Sequence, residues 1–334
     1  MIGVIWGHIM TTGATFVLAY AFDIPLFFFL AGMVYSKSKY TTIKLLLKNK
    51  IRTLLIPYVI FSVATWVVWC GYNLVSHNNV NYIEPLLQTV IAQGSGGFMI
   101  HNVPLWFVTC LFVVQVLYYY ISKLKTPINL AICVLFAVIG HFMLNNNIPF
   151  DFTKLPWNIE AAASALLFYG LGNIFNEKLS LVAFFKWCDN SKIKAIFIYL
   201  FATALFVVGA LFNGHISLGS NTLGRSTTLL YIVGLLGVLS CLLFSFALSK
   251  IKSKLLSLLT YVGKNSFYYM AVHVPIKGFV IVILAKVIKE STTYISENII
   301  WSLLVFGVTL IASTVVVQII NIFLRKLKKV RGRI

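Results

Sequence analysis

Residues 195–213 read AIFIYLFATALFVVGALFN, nineteen positions without one charged side chain. A bilayer core takes about 20 apolar residues per helix, so this stretch has the length and character of a membrane span. Working outward from it, ten segments qualify or nearly do: roughly 1–19, 24–36, 52–72, 104–122, 127–144, 158–176, 195–213, 227–248, 265–285 and 298–324. Composition points the same way. Of 334 residues, 60% are hydrophobic and 10% charged, against about 25% charged in a water-facing domain. So few charges cannot cover a soluble surface. A soluble enzyme, a disordered chain and a secreted disulfide scaffold are excluded, and an all-α polytopic membrane protein remains. The second segment is short and begins at Pro25. It reads either as running on into the Lys-rich stretch or as partly re-entrant. No internal repeat, no separate soluble domain and no cleavable signal is evident, so residues 1–334 read as one integral-membrane domain.

The connections alternate in charge. The chain carries 27 Lys+Arg against 8 Asp+Glu. Residues 37–52, Lys123 and Lys125, residues 178–194, residues 250–264 and the tail from Arg325 together hold 22 of the basic groups. The intervening connections hold Lys154, Arg225, Lys286 and Lys289, with Lys277 inside the ninth segment. Such a split follows the positive-inside rule. It predicts that the basic side and both termini are cytoplasmic, with membrane lipid rather than nucleic acid as the surroundings of the charge. The longest outer connection, 73–103, contains Gly94-Ser95-Gly96-Gly97 and reads as flexible there. Cys70, Cys110, Cys133, Cys188 and Cys241 form no CxxC pair and read as packing residues. No metal motif is present.

Ionisable groups inside spans are costly and tend to be functional. His8 follows Gly3 and Gly7, four residues apart on a face that lets a neighbouring helix approach. It reads either as a packing histidine or as a general base. Asp23, just ahead of Pro25, reads as an outer-side helix cap or a site residue. Glu160 opens the sixth span within Trp157-Asn158-Ile159-Glu160, as a first-turn charge or a site residue. His273 lies eight residues beyond Asn265, about 12 Å into the membrane. Pro275 frees a backbone carbonyl beside it, and Lys277 one turn on is expected to snorkel outward. Arg52 and Lys50 stand at the inner mouth of the third span, either as topological charge or as a match for phosphate oxygens. His77, His101, His141 and His215 fall in or near outer loops and are assigned no role.

Several motifs, in this order, resemble acyltransferase family three, the integral-membrane acyltransferases of cell-surface glycans. Gly7-His8 resembles the family's glycine-histidine. Phe22-Asp23-Ile24-Pro25-Leu26-Phe27-Phe28-Phe29-Leu30-Ala31-Gly32 resembles its proline–leucine–phenylalanine–phenylalanine run, with alanine where the family has serine. Arg52-Thr53-Leu54-Leu55-Ile56-Pro57-Tyr58 resembles its basic-to-proline opening of the third helix. Val262-Gly263-Lys264-Asn265-Ser266 with His273-Val274-Pro275 resembles its penultimate-helix motif. Pro104-Leu105-Trp106-Phe107 and Trp157-Asn158-Ile159-Glu160 are similar to the branch of fucose 4-O-acetylases. The family's first-helix arginine would fall at position −3, ahead of Met1, and the short inner side of the first span points to a start lying upstream.

The resemblance implies acetyl transfer from acetyl-coenzyme A to a hydroxyl of a cell-surface or lipid-linked glycan, at the inner membrane of a bacterium. It implies His8 as the catalytic base and Arg52 with Lys50 as donor-binding residues. Asp23, Glu160 and His273 would support the base or the acceptor. Acetyl-coenzyme A would be a substrate, with no bound cofactor. The rival reading from span number and buried charge is a transporter, either a polysaccharide exporter or a small-solute carrier.

Overall fold

The computed structural model describes residues 1–94, 97–144 and 155–331, with side chains to Lys326. Ser95, Gly96, Lys154 and the last basic residues of the tail lie outside what is described. Helix is nearly the whole of it. Eight helices among the described residues are long and apolar enough to cross a membrane.

The first two apolar segments divide differently from expectation. Helix α1 spans only Ile2–Ile9, and α2 runs unbroken over Ala14–Met33. The break falls at Thr11-Thr12-Gly13. Two β-branched residues disfavour helix there, and Gly13 turns the chain with φ 90°, a conformation glycine adopts without steric cost. The expected boundary between residues 19 and 24 does not exist, and Asp23 and Pro25 both lie inside α2. Asp23 is therefore not a helix cap.

Helix α3 (Ile43–Lys50) passes through a π-helical turn, Ile51–Leu55, into α4 (Ile56–Val75), making one rod. Helix α5 (Glu84–Ile91) folds inside the long connection after it. The rest of the bundle is α6 (Trp106–Ile121), α7 (Thr126–Leu144), α8 (Ile159–Lys178), the short α9 (Leu181–Asn190), α10 (Lys192–Asn213) and α11 (Thr227–Ser249). Last come α12 (Lys254–Lys264), α13 (Ser266–Ile288), the short α14 (Thr292–Glu297) and α15 (Ile299–Arg331). A two-residue hairpin, Ile216–Ser217 with Thr222–Leu223, closes the turn between α10 and α11.

Helix α8 is the least apolar of the long helices and sits at the centre. Its run from Glu160 to Leu166 is buried throughout. Small residues make that possible. A Cβ added at Gly32 would strike the Tyr169 carbonyl, and one at Gly172 would strike the Phe29 carbonyl, so α2 and α8 cross backbone to backbone. Close approach of this kind is how helices associate where lipid removes the hydrophobic incentive.

The charge alternation appears as two ends of one bundle. At the basic end Lys37 pairs with Glu177 at 3.1 Å and Lys250 with Asp189 at 2.6 Å. The Tyr35 hydroxyl meets the Ser122 hydroxyl there, and Asn173 donates to the Tyr35 carbonyl. At the opposite end Asn158 donates to the Ala92 carbonyl at 2.6 Å and accepts from the Gly94 amide at 3.0 Å. All five cysteines are free.

Candidate active site

The two glycines of α1 bring His8 to its place. A Cβ at Gly3 would stand 2.7 Å from Asp23 Oδ1, and one at Gly7 2.9 Å from the Tyr20 ring. Their absence of side chain lets α1 lie directly on α2. His8, next in sequence, then meets α13 instead of lipid. Its ring centroid is 5.2 Å from that of His273 and 6.1 Å from that of Tyr20. The His8 carbonyl is one of the last of α1 and has no partner within its helix. Lys277 Nζ donates to it at 3.0 Å. A cation at a helix C-terminus also suits the dipole. Lys277 thus caps α1 rather than snorkelling outward.

His273 is fully buried. Its Nδ1 lies 2.9 Å from the Tyr269 carbonyl and 3.0 Å from the Met270 carbonyl. Carbonyls only accept, so Nδ1 carries the proton and Nε2 carries the lone pair. That Nε2 is buried without a partner. A bare acceptor here is costly, and at a site such a group is available for chemistry. Pro275 lacks an amide to bond the Ala271 carbonyl. Asn102 supplies the missing donor at 2.7 Å and also reaches Thr65 Oγ1 at 3.4 Å. One side chain thereby fastens the kink of α13 to the turn ahead of α6. That turn leads through Pro104 to Trp106 and Phe107, which border His8 across a small cavity of about 40 Å³ shared with Ile24, Phe27 and Met270.

The structure joins His8 to His273 and leaves the other expected site residues elsewhere. Asp23 is 6% exposed, half-way along α2 and against Gly3. Glu160 is fully buried and accepts from Gln93 Nε2 at 3.2 Å. Its neighbours Trp157 and Asn158 bind the carbonyls of Val90 and Ala92. That motif fastens the connection after α5 onto the start of α8. Arg52 is exposed on the π-helical turn, and Lys50 is half-buried with its Nζ 5.3 Å from the Tyr40 ring centre. Thirteen residues separate Arg52 from Thr65, the level of Asn102, which is about 20 Å along a helix.

Sequence reasoning missed two residues. Asn102 carried no signal of its own, because neither its neighbours nor its spacing pointed at Ala271. His101 was placed in an outer loop, yet it is 3% exposed and neither ring nitrogen has a partner. Its position just ahead of Pro104-Leu105-Trp106-Phe107 was the available clue. Burial lowers His101 from the usual histidine range to about 4, so it stands neutral.

Comparison with known proteins agrees with this architecture. No curated protein and no solved structure matches the chain. The family model described as an acyltransferase domain matches residues 1–318, from α1 through most of α15. The match takes in nearly the whole bundle of membrane-spanning helices, and the chain belongs to the membrane acyltransferases of acyltransferase family 3.

Proposed function

We propose that the protein transfers an acetyl group from acetyl-coenzyme A to a hydroxyl of a cell-surface or lipid-linked glycan, with His8 as the general base. The observation that carries this reading is the His8–His273 pair: His8 is half-buried beside Trp106, Phe107 and Met270, and His273 is fully buried with its Nε2 unpartnered. A sugar hydroxyl is a poor nucleophile until a base takes its proton. In the proposed step His8 accepts that proton as the oxygen attacks the thioester carbonyl. The carbon–sulfur bond then breaks and the departing thiolate takes the proton back from His8. The cavity beside His8 is lined mostly by apolar side chains, which disfavour water as a competitor for the acyl group.

His273 serves as the positioning residue. Its Nδ1–H is held by two backbone carbonyls, so its Nε2 can only accept. At the observed ring separation, a rotation of His8 brings a His8 N–H to that nitrogen. This would fix the tautomer of His8 and steady the imidazolium as it forms, the part a carboxylate plays in a triad.

The basic end faces the cytoplasm in this reading, which also puts the protein in the inner membrane of a bacterium. Acetyl-coenzyme A approaches there, its phosphates meeting Arg52 and Lys50, and its extended pantetheine arm covers the distance to the histidines. The test is thiol release from acetyl-coenzyme A by purified protein in proteoliposomes. Protein that binds no acetyl-coenzyme A and releases no thiol, with or without cell-envelope glycan, would end the proposal.

A further inference from the structure

A cleft opens between α4 and α13, at the end of the bundle opposite the basic one. Its volume is about 240 Å³. Its polar lining is Thr65, His101 and Lys277, the first two buried. Trp69 and Tyr72 add aromatic rings to the lining. Val68 and Phe279, at 43% and 40% exposed, form an apolar lip on two lipid-facing helices. Gly278 also lines the cleft, and a Cβ there would meet nothing within 4 Å. One side chain links the cleft to His8, because Lys277 lines it and also holds the His8 carbonyl.

His101 decides the chemistry of the occupant. It is buried, it lines the cleft, and both its ring nitrogens lack partners. A neutral imidazole offers one donor and one acceptor. Hydroxyl groups satisfy both, whereas a carboxylate or phosphate would leave the lone pair unmatched. Aromatic rings beside such a group suit the apolar face of a sugar ring. The apolar lip suits a chain lying along the helices in the membrane.

We infer that this cleft is the acceptor site, and that it takes the sugar of a membrane-anchored glycolipid, sliding in laterally with its hydroxyls on His101 and its ring against Trp69 and Tyr72. The inference rests on the acyl-transfer reading and gives its acceptor a binding site and a lateral route. Its geometry puts the donor and acceptor on opposite approaches to His8. One comes from the basic end. The other comes sideways from the bilayer, past Pro275 and Lys277.

The test uses the full-length protein in phosphatidylcholine nanodiscs and a dodecyl glucoside with a diazirine on its sugar. After illumination, labelled peptides are mapped by mass spectrometry. Label is expected on residues 65–72, 100–101 and 274–279, displaced by unmodified dodecyl glucoside and not by the same concentration of free glucose. Labelling should fall about tenfold in His101→Ala, the change carried by one or two hydrogen bonds. It should fall similarly in Gly278→Val, whose Cβ enters open space and whose branches narrow the cleft, so that the outcome does not rest on the folding of His101→Ala alone. Label spread evenly over the lipid-facing helices, or unchanged in both variants, overturns the site. Equal displacement by free glucose overturns the membrane-anchored source. Thiol release from acetyl-coenzyme A with label elsewhere overturns the cleft alone. Cleft labelling with no thiol release overturns the acyl-transfer reading alone.

Discussion

Replacing His8 separates a base from a packing group, and the structure supplies an unusually clean control. The bond that ties residue 8 to α13 runs from Lys277 Nζ to the backbone carbonyl. Alanine and glutamine both keep that carbonyl, so neither variant loses the cap on α1. Alanine removes a ring that only partly fills its surroundings, next to a cavity of about 40 Å³. The added void is small beside the losses of about 2–5 kcal/mol that come from deleting a fully buried large side chain. Thermal midpoints in detergent should therefore stay close to wild type. Catalysis should not. General-base assistance contributes about 10²–10⁴-fold, which is about 3–5 kcal/mol of barrier, so His8→Ala should slow acetyl transfer by that order. His8→Gln still accepts and donates hydrogen bonds but takes up no proton at neutral pH, and should fail nearly as badly. The assay is thiol release and acyl-labelled glycan in proteoliposomes, read beside the thermal midpoint. If His8→Gln turned over at close to the wild-type rate, the base would have to be sought at His273.

Other outcomes follow from other parts of the bundle. If Arg52 meets the donor's phosphates as proposed, Arg52→Ala removes a contact worth about 1.5–3 kcal/mol when charge-assisted, so donor affinity should drop about tenfold or more with acceptor affinity unchanged; equal donor binding would reduce Arg52 to a topological charge. Asn102→Ala orphans the buried Ala271 carbonyl at a cost of about 1–3 kcal/mol, and should lower both the thermal midpoint and turnover, whereas an unaltered midpoint would mean that another donor reaches the kink. Gly172→Ala presses a methyl onto the Phe29 backbone and should destabilise by at least the upper part of about 1–3 kcal/mol; Gly71→Ala, with nothing within 4 Å of the new methyl, is the matched control, and equal stability of the two would refute the backbone crossing of α2 and α8. Cysteine at the exposed Asn79 should react with an impermeant maleimide from outside, and cysteine at Ser38 or Ser253 only after permeabilisation; the reverse pattern would invert the bundle.

What the sequence made legible was what depends on composition summed over twenty residues. The spans from α4 onward, α8 apart, stood out because hydropathy averages over a whole helix, and the alternation of Lys and Arg along the chain matches the two ends that Lys37–Glu177 and Asn158–Ala92 mark out. The first hairpin was less legible. Thr11-Thr12-Gly13 is neither charged nor long, so the break there was lost inside an apolar run, and Asp23 ahead of Pro25 resembled a helix boundary. Proline in the middle of α2 is tolerated because neighbouring helices supply packing that local propensity does not see. Lys277 was misjudged for a related reason. Snorkelling is the default for a lone lysine in lipid, but the free carbonyl at the end of α1 offers a nearer partner, and only tertiary structure brings it there. His101 and Asn102 sat in a connection expected to be solvated, where a histidine and an asparagine are ordinary.

The division of labour between the two histidines follows from which nitrogen is already committed. His273 has its Nδ1–H held by α13 itself, by the carbonyls of Tyr269 and Met270. That fixes its tautomer without help from any carboxylate. A residue so fixed is well suited to orient a neighbour and poorly suited to follow a substrate. His8 is held through its main-chain carbonyl, which leaves its ring to turn between the lone pair of His273 and the cavity under Trp106 and Phe107. In the proposed mechanism a proton entering His8 from the acceptor is then balanced by a hydrogen bond passed back to His273, and the α13 backbone bears the far end of that chain. This arrangement relieves Asp23 and Glu160 of any need to stand beside the base. It fits where they are found: Asp23 fills the space that Gly3 vacates, and Glu160 holds Gln93 at the start of α8.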